Sequence, residues 1–238
     1  MSDNKTKNNQ ETWDCIAESF DKTRRKPWKQ CIDFIKTLKE TDFVVDMGCG
    51  NGRHLIPCAE QCKKIIGLDF SKELLLIAKN KLLKKKLINV NFLHSDVTLI
   101  PIKDDKLDAI IYIASLHNIH GRENRIQSLK ELKRILKNDG KALISVWSKW
   151  QDKYRKLFFK KWFINKDKSE FGDINIYWRQ NGLNIPRFYH LYSKREFVED
   201  LTKAGLKIEK IESVKLSSQK YPDNYFAIVK KDKLLFKL

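Results

Sequence analysis

The sequence feature that most constrains the fold is a short apolar run that ends in an acid and three alternating glycines. The run covers residues 44–47, its acid is Asp46, and the glycines are Gly48, Gly50 and Gly52. Glycine serves where the backbone takes unusual dihedral angles or where a ligand approaches the main chain closely. We therefore predict a strand that runs into a tight turn, with a nucleotide-like cofactor bound against that turn.

A second acid makes this prediction more specific. Another apolar run, 65–68, ends in Asp69, at the place where Rossmann-type folds put the carboxylate that binds ribose hydroxyls. The two stretches together resemble motifs I and II of the S-adenosylmethionine-dependent methyltransferases, in which the acid before the glycines binds the cationic amino-acid end of the cofactor. The G-x-G-x-G spacing and the preceding acid disfavour an oxidoreductase that uses a dinucleotide.

Apolar runs and helical patterns alternate through the middle of the chain. Strands are predicted at 43–46, 64–69, 90–94, 107–113 and 142–146, with helices at 53–61, 72–83 and 122–136 between them. A capped helix at 194–204 and two further strands, 206–216 and 225–229, follow. We predict an α/β, Rossmann-like class I methyltransferase fold: a seven-stranded, mostly parallel sheet with helices on both faces and a small aromatic and basic insertion after strand five.

The predicted organisation has three parts. Residues 1–40 form N-terminal helices that cover the cofactor pocket, 41–146 and 193–231 form the methyltransferase core, and 147–192 form a substrate-binding insertion. The start of the chain is polar and no apolar run approaches the roughly 18 residues of a membrane span. We expect a soluble, cytoplasmic protein without a membrane partner.

Charge suggests the class of partner. The chain has 48 Lys and Arg residues against 30 Asp and Glu residues, a net charge of +18. Such an excess favours a polyanion, although a merely solubilising surface would give the same composition. The five cysteines show no paired C-x-x-C spacing, so we expect free thiols rather than disulfides or a zinc cluster.

The carboxyl ends of the predicted strands supply the candidate cofactor residues, because ligands of such sheets bind at that edge. Asp96, after the third strand, is placed to accept a hydrogen bond from an adenine amino group, or else it caps a turn. The predicted cofactor-binding residues are Asp46, Gly48, Cys49, Gly50, Asn51, Gly52, Asp69, Phe70, Asp96, Val97 and Ile113.

Two histidines follow the fourth predicted strand, where methyltransferases of this architecture hold substrate. His117 and His120 have a helical spacing, but no acid or cysteine lies near them in the sequence, so we predict no metal site. We expect His117 to face the transferred methyl group. Arg24, near Trp28 in the connection that precedes the core, is either a solvated charge or a residue that folds over the pocket and binds an anion.

The predicted insertion mixes aromatic and basic residues. Aromatic rings provide stacking surfaces and cations neutralise phosphates, so the mixture suits RNA, although most of these rings could form the core of a small helical cap.

Several blocks together resemble one family, the tRNA methyltransferases that esterify 5-carboxymethyluridine at the wobble position. The matching blocks are 16–24 with Pro27 and Trp28, 46–52, 115–117 with 121–125, 145–147, 187–190 and 223–225. The glycine block is common to many methyltransferases, whereas the Thr-Arg-x-x-Pro-Trp and Arg-Phe-Tyr-His blocks are more specific. The chain departs from the family at Asn118, where a second histidine is frequent, and at Tyr225, where the family has tryptophan.

The resemblance implies a function and its residues. The donor would be S-adenosylmethionine and the acceptor the carboxylate of a tRNA uridine, with Arg24 and His117 as the catalytic residues. Substrate-binding residues would be Trp28, Trp147, Arg187, Tyr189 and His190. Family members in eukaryotes work with a small zinc-binding activator subunit, which makes such a subunit a candidate partner.

Two other functions remain open at this stage. One is a methyltransferase for a small molecule, and the other is a non-catalytic RNA-binding protein with a vestigial pocket. The complete set of acids and glycines argues against the second, and the basic, aromatic insertion argues against the first.

Overall fold

Five parallel strands and an antiparallel pair form one seven-stranded sheet. The structure is a computed structural model that describes residues 2–164 and 169–232, with the side chains of 2–8 and 162–164 left aside. The strand order is β3-β2-β1-β4-β5-β9-β8. The strands are β1 Phe43–Met47, β2 Lys64–Asp69, β3 Val90–His94, β4 Leu107–Ile113, β5 Leu136–Trp147, β8 Leu206–Val214 and β9 Asn224–Lys231. This topology confirms the predicted fold class.

Helices cover both faces of the sheet, and a separate hairpin stands beside it. The helices are α1 Ser2–Thr23, α2 Lys29–Ile35, α3 Leu55–Gln61, α4 Lys72–Lys84, α5 Arg122–Ile135, α6 Arg155–Ile164 and α7 Lys194–Lys203. The hairpin pairs β6 Asp173–Trp178 with β7 Ile185–His190 in antiparallel register. None of the described helices is long and apolar enough to cross a membrane.

The central strand β1 explains why the sequence starts with an unbroken apolar run. Val45 and Met47 pack into the core on one face of the sheet, and Val44 packs into the core on the other face. A parallel strand buried on both faces needs apolar residues at successive positions rather than at alternate ones. The strand ends at Met47, and the glycine turn follows it at the carboxyl edge of the sheet.

Three elements differ from the sequence-based expectation. Helix α1 begins at Ser2, and β5 begins at Leu136 rather than at 142, directly after α5. The residues expected to connect the helix at 122–136 to the strand at 142–146 form a bulge instead, because the pairing jumps from Leu107↔Leu136 to Ala109↔Lys141. The hairpin of β6 and β7 was not predicted; residues 165–168 of the predicted insertion lie outside the described residues.

Candidate active site

The glycine turn has the left-handed backbone conformation that its composition predicts. Gly48, Gly50 and Gly52 have φ angles of +68°, +53° and +75°, all in the left-handed region. A Cβ on Gly48 would collide with the Ser115 side chain, and one on Gly52 would lie 2.8 Å from Cβ of Ala78 in α4. Two of the glycines therefore permit close packing, whereas Gly50 faces the cleft beneath Phe20.

Asp69 holds the turn from the end of β2. Its Oδ2 accepts a hydrogen bond from the Gly50 N–H at 2.7 Å, and its Oδ1 accepts one from the Ser71 N–H at 2.9 Å. Burial raises the pKa of Asp69 to about 6, against the lowering effect of these backbone bonds. Asp69 is thus fixed at the carboxyl edge with its oxygens beside the glycine backbone.

Asp46 lies beneath the turn and has an unsatisfied oxygen. It is 1% exposed, and its Oδ2 accepts no hydrogen bond from the described residues. Burial, and then the nearby Asp69, raise its pKa well above the usual range of a carboxyl. A buried carboxylate oxygen without a hydrogen-bond donor needs a cationic or hydrogen-bonding partner. An ammonium group would supply both the positive charge and the hydrogen bond.

A cleft that is open to solvent begins at the glycine turn. It runs between α1, the carboxyl ends of β1 and β4, and the face of β7. The predicted site residues that line it are Arg24, Trp28, Gly48, Cys49, Gly50, Asn51, Asp69, Phe70, Ile113, His117, Trp147, Arg187 and Tyr189. Residues far apart in the sequence are therefore brought to one place.

Five predicted site residues do not line this cleft. Asp46 and Gly52 lie beneath the turn, as described above. Asp96 binds the backbone N–H and hydroxyl of Thr98, both at 2.8 Å, and so caps a turn, with Val97 beside it. His190 points to the other face of β7, into a group of charged residues.

His117 is neutral and has one free N–H. Its Nδ1 accepts a hydrogen bond from the Trp147 N–H at 3.1 Å, so the proton of the neutral ring sits on Nε2. Nε2 is buried without a partner among the described residues. Burial, then the charges of His190 and Arg187, lower the pKa of His117 to about 3. His117 can therefore donate a hydrogen bond into the cleft but carries no charge at neutral pH.

The ring of His117 is held by aromatic neighbours. Its centroid lies 5.3 Å from that of Trp147 and 5.3 Å from that of Tyr189, whose ring is stacked on it. Trp147 and Tyr189 are nearly parallel at 10° and 5.0 Å. This packing fixes the direction in which the His117 Nε2–H points.

Three arginines line the cleft without a carboxylate partner among the described residues: Arg24, Arg53 and Arg187. The guanidinium carbons of Arg24 and Arg187 lie 5.6 and 4.7 Å from the same Trp178 ring. That of Arg53 lies 5.0 Å from the Trp28 ring. Burial and then Arg24 lower the pKa of Arg53 to about 10. Three cations in one cleft define a site for anions.

Helix α1 covers the cleft and is tied down on two sides. Asp14 accepts hydrogen bonds from the Ser71 hydroxyl at 2.5 Å and the Glu73 N–H at 3.2 Å, at the start of α4. On the other side, Ser19 Oγ accepts from Trp178 Nε1 at 2.7 Å and from Asn181 Nδ2 at 2.9 Å, in the hairpin. The helix thereby spans the cofactor side and the hairpin side of the cleft.

The sequence analysis missed several lining residues, notably Trp13, Phe20, Arg53, His54 and Ser115. Arg53 directly follows the last glycine, which is the one signal that could have marked it. Trp13 and Phe20 belong to the predicted N-terminal helices, and their packing over the glycine turn depends on where α1 docks. Asn51 fixes that docking, because its Nδ2 donates to Asp21 Oδ1 and to the Arg24 carbonyl, both at 2.8 Å.

Comparison with known proteins agrees with the fold. A family model described as a methyltransferase domain matches residues 45–144. A tRNA (carboxymethyluridine(34)-5-O)-methyltransferase of Xenopus tropicalis is 37% identical over 144 residues, 60% of this chain and 21% of the relative. The enzyme of that name from Schizosaccharomyces pombe is 28% identical over 207 residues, 82% of this chain and 86% of the relative. The chain spans about a fifth of the length of the vertebrate relatives.

Solved structures share the architecture at low identity. An S-adenosylmethionine-dependent methyltransferase from Methanosarcina mazei has a TM-score of 0.72 at 20% identity, over 87% of this chain and 98% of that one. A chain from the complex of the Haloferax volcanii Trm112 methyltransferase activator with a methyltransferase has a TM-score of 0.66 at 17% identity, over 94% and 96%.

The strand order, the glycine turn and the matched domain define a class I methyltransferase domain, whose cofactor is S-adenosylmethionine. Within that class the chain resembles the tRNA (carboxymethyluridine(34)-5-O)-methyltransferases, as its sequence blocks predicted.

Proposed function

We propose that the chain transfers a methyl group from S-adenosylmethionine to the carboxylate of 5-carboxymethyluridine at the wobble position of tRNA, forming the methyl ester. The observation that carries the proposal is the cleft itself, in which Arg24, Arg53 and Arg187 lack carboxylate partners among the described residues and His117 offers a free N–H. An anionic acceptor next to the cofactor turn would satisfy Arg24, Arg187 and His117, and the carboxylate of the cofactor would satisfy Arg53.

The residues beside the turn fit the cofactor. The unpartnered Asp46 Oδ2 would accept from its ammonium group, and Asp69 would accept from its ribose hydroxyls. Arg53, near Asp46, would bind its carboxylate, so that an acid and a base match the two charges of an amino acid. The predicted cofactor contacts of Phe70, Asp96 and Val97, with Asp96 at the adenine amino group, remain part of this proposal. When bound, S-adenosylmethionine supplies an electrophilic methyl group on a sulfonium.

The other end of the cleft would position the acceptor. Arg24 and Arg187 neutralise and orient the carboxylate, and the His117 Nε2–H donates to one of its oxygens while the other oxygen attacks the methyl carbon. The new carbon–oxygen bond forms as the carbon–sulfur bond breaks, and its electrons leave with sulfur. A carboxylate has a pKa near 4, so it is already ionised at neutral pH and no general base is required. The contribution of the protein is alignment and charge stabilisation.

A basic and aromatic surface supports RNA as the carrier of that carboxylate. Phe159 and Tyr177 are exposed large rings of α6 and β6. The Arg179 guanidinium lies 5.6 Å from the Tyr177 ring. Together with the charge of +18, this surface provides both stacking and phosphate neutralisation, and we assign it to the tRNA.

An activator subunit belongs to the same proposal. A structure with this fold was solved in a complex with the Trm112 methyltransferase activator. We therefore expect the chain to act with a small partner of that type, which the assay has to include.

The test is methylation of tRNA that carries 5-carboxymethyluridine, with S-adenosylmethionine whose methyl group is deuterated. Nucleosides are analysed by mass spectrometry after incubation with the chain alone and with a Trm112-type partner. We expect the methyl ester to appear with the label and the free acid to decline. Arg187→Gln should reduce the rate by about 100-fold, the scale for losing a group that stabilises the reacting atoms.

Arg195→Gln is the matched control, because Arg195 lies on the outside of α7, 90% exposed in its side chain, and pairs with Glu199. Its rate should equal that of the unmodified chain. If no labelled ester forms with either preparation while S-adenosylhomocysteine still binds, the acceptor is not this uridine and the proposal is wrong.

A further inference from the structure

A second charged group lies behind the cleft, on the opposite face of β7. It contains three basic side chains, Arg125, Lys149 and His190, and three carboxylates, Glu170, Asp173 and Glu196. His190 is at its centre and is fully buried. Because side chains alternate along a strand, Arg187 and Tyr189 face the cleft from β7 while His190 faces this group.

Both ring nitrogens of His190 contact carboxylates. Nδ1 lies 2.8 Å from Asp173 Oδ1 in β6, and Nε2 lies 2.7 Å from Glu196 Oε1 in α7. A neutral imidazole has one N–H, so one of its nitrogens would turn a lone pair toward a carboxylate oxygen at hydrogen-bond distance. Only the doubly protonated ring can donate to both.

We propose that His190 is a positioning residue that remains protonated, and that its imidazolium joins Asp173 to Glu196 and so fixes the strand that carries Arg187 and Tyr189 against the core. The role of Arg187 and Tyr189 in binding an acceptor rests on the function proposed above. The charge state and the bridging do not depend on it.

The surroundings of His190 agree with a protonated ring. Burial alone would lower the pKa of His190, but the bonds to Asp173 and Glu196 raise it above its usual value. Glu196 also accepts from Lys149 Nζ at 2.9 Å, and Glu170 accepts from Arg125 Nη2 at 2.5 Å and lies 3.9 Å from His190 Nδ1. Burial would raise the pKa of Glu196, yet His190 and Lys149 bring it to about 2. The rings of Tyr192 and His190 are packed in a T-shaped arrangement, with their centroids 5.0 Å apart.

The charge also acts on the cleft. His190 is one of the groups that lower the pKa of His117, after burial. A cation on one side of β7 thus helps to keep the histidine on the other side neutral, with its proton on Nε2. His190 is therefore charged while His117 is neutral, because the two rings lie close together on opposite sides of β7.

Glu170, Asp173 and His190 are also close enough together to hold a metal ion. Both histidine nitrogens are already within hydrogen-bond distance of carboxylates, and Arg125 occupies Glu170. The ion pairs therefore account for the close approach of these three residues. A bound metal ion would account for it differently, and the first experiment below tests for one.

The first experiment measures the charge of His190 in the free protein, without tRNA. Nitrogen-15 spectra of the histidine rings at pH 7.5 should show two protonated nitrogens for His190 and one for His117, with His190→Gln identifying the signals. Asp173→Asn offers an amide N–H to the ring, so a neutral ring is then satisfied and the pKa of His190 should fall by about 1 to 2 units. A neutral His190 in the unmodified protein, or a stoichiometric metal found by elemental analysis, overturns the proposal.

The second experiment separates positioning from folding. His190→Gln should raise KM for the tRNA at least tenfold and leave the affinity for S-adenosylhomocysteine, measured by calorimetry, within twofold. Glu199→Gln, on the outer side of the same helix, is the matched control and should change neither value.

If His190→Gln loses affinity for S-adenosylhomocysteine by the same factor as its KM for the tRNA rises, the variant has a general structural defect and the positioning role is overturned. If the tRNA proves not to be the substrate, the ring spectra and the Asp173→Asn shift still decide the charge state. Failure of the proposed function is thereby distinguishable from failure of this inference.

Discussion

At the scale of single residues, buried groups without partners identify what the cleft binds. Asp46 Oδ2, His117 Nε2 and Arg187 Nε are buried and unsatisfied among the described residues. Leaving such a group unpaired costs about 1 to 3 kcal/mol, so a ligand that pairs with it gains that free energy back. These three groups lie in and just beneath one cleft, whereas other buried unpaired atoms, such as Gln30 Oε1 and Asn224 Oδ1, lie outside it. The concentration of three such groups at the glycine turn is typical of a binding site.

We expect cofactor affinity to depend on the ionisation of Asp69. Its pKa is raised to about 6, and the protonated form has lost an acceptor that the ribose hydroxyls need. Affinity should therefore be constant above about pH 7 and fall below pH 6, by up to about tenfold for each pH unit. Calorimetry with S-adenosylhomocysteine between pH 5 and 7.5 measures this.

The control is Asp69→Asn, which cannot ionise. It should bind weakly at every pH and with a smaller pH dependence. Unchanged affinity of the native protein from pH 7.5 to 5 contradicts the assigned role.

Arg53 gives a second prediction at this scale. If it binds the cofactor carboxylate, Arg53→Gln should weaken binding of S-adenosylhomocysteine by about 10- to 100-fold, the range for a hydrogen bond to a charged group. Binding of the decarboxylated analogue should hardly change. Arg179→Gln, a cation of the hairpin, serves as the control. If Arg53→Gln still binds S-adenosylhomocysteine more tightly than the decarboxylated analogue by the same factor as the unmodified protein, another arginine binds the cofactor carboxylate.

Sequence reasoning groups Arg187, Tyr189 and His190 together, whereas the structure separates them. A strand alternates its faces, so positions 187 and 189 share one face and position 190 belongs to the other. That alternation is informative only once β7 is known to be a strand, which the sequence does not indicate. Arg53 was missed for another reason: a charged residue at the start of a helix is ordinarily solvated, and only the docking of Trp28 and α1 encloses it.

At the scale of secondary-structure elements, the helix that carries Glu196 begins with a capping box. The Ser193 hydroxyl accepts from the Glu196 N–H at 3.2 Å, and the Glu196 carboxylate accepts from the Ser193 N–H at 3.4 Å. The same glutamate therefore starts α7 and binds His190. The start of this helix and the position of β7 are coupled through one side chain.

Ser193→Ala should lower the free energy of unfolding by about 1 kcal/mol, because it removes one acceptor from the helix N-terminus. For a chain of this size that is a decrease in Tm of about 2 to 4 °C. Thermal unfolding followed by circular dichroism measures it, with Ser213→Ala, at an exposed position of β8, as the control. Equal melting temperatures for both variants and the unmodified chain would show that the box contributes nothing.

Element prediction succeeded where the pattern was local. The strands β2, β3 and β4 have the predicted bounds, since each is a short, mostly apolar segment flanked by polar residues. The hairpin of β6 and β7 has the composition of a helical cap, because its rings, such as Trp178, pack on α1 rather than within the segment. Packing over that sequence distance leaves no local period to detect.

At the scale of the whole molecule, the excess of positive charge should appear as a salt dependence of tRNA binding. Each phosphate neutralised releases counterions, so the logarithm of the affinity falls linearly with the logarithm of salt concentration. Replacing the exposed Lys153, Lys156 and Lys160 by Gln should reduce the slope by about 2, at about 0.7 for each phosphate that is no longer neutralised. Filter binding between 50 and 300 mM salt is a suitable measurement.

The matched control replaces Lys207, Lys210 and Lys215, exposed lysines of β8 and the residues after it. It removes the same charge from another part of the surface and should leave the slope nearly unchanged. Equal effects of the two triple variants would mean that the tRNA responds to net charge and not to the surface of α6 and the hairpin.

The fold of the whole molecule was predictable because the two acid-bearing strands fix its first half and the remaining strands repeat the same alternation. The cleft was predictable only at its floor, which the glycine turn forms. Its roof is formed by α1 and its far wall by β7, two elements that lie far apart in the sequence. Their placement depends on tertiary packing.

The position of α1 has a consequence for the order of events in a reaction cycle. The helix is bonded to the start of α4 and the glycine turn through Asp14 and Asp21, and to the hairpin through Ser19. A molecule lying beneath the helix is covered by an element that these hydrogen bonds hold in place, and opening them would loosen the hairpin as well. We therefore expect RNA to depart first and the demethylated cofactor last, so that the spent cofactor accumulates on the protein and slows the next turnover unless it is cleared.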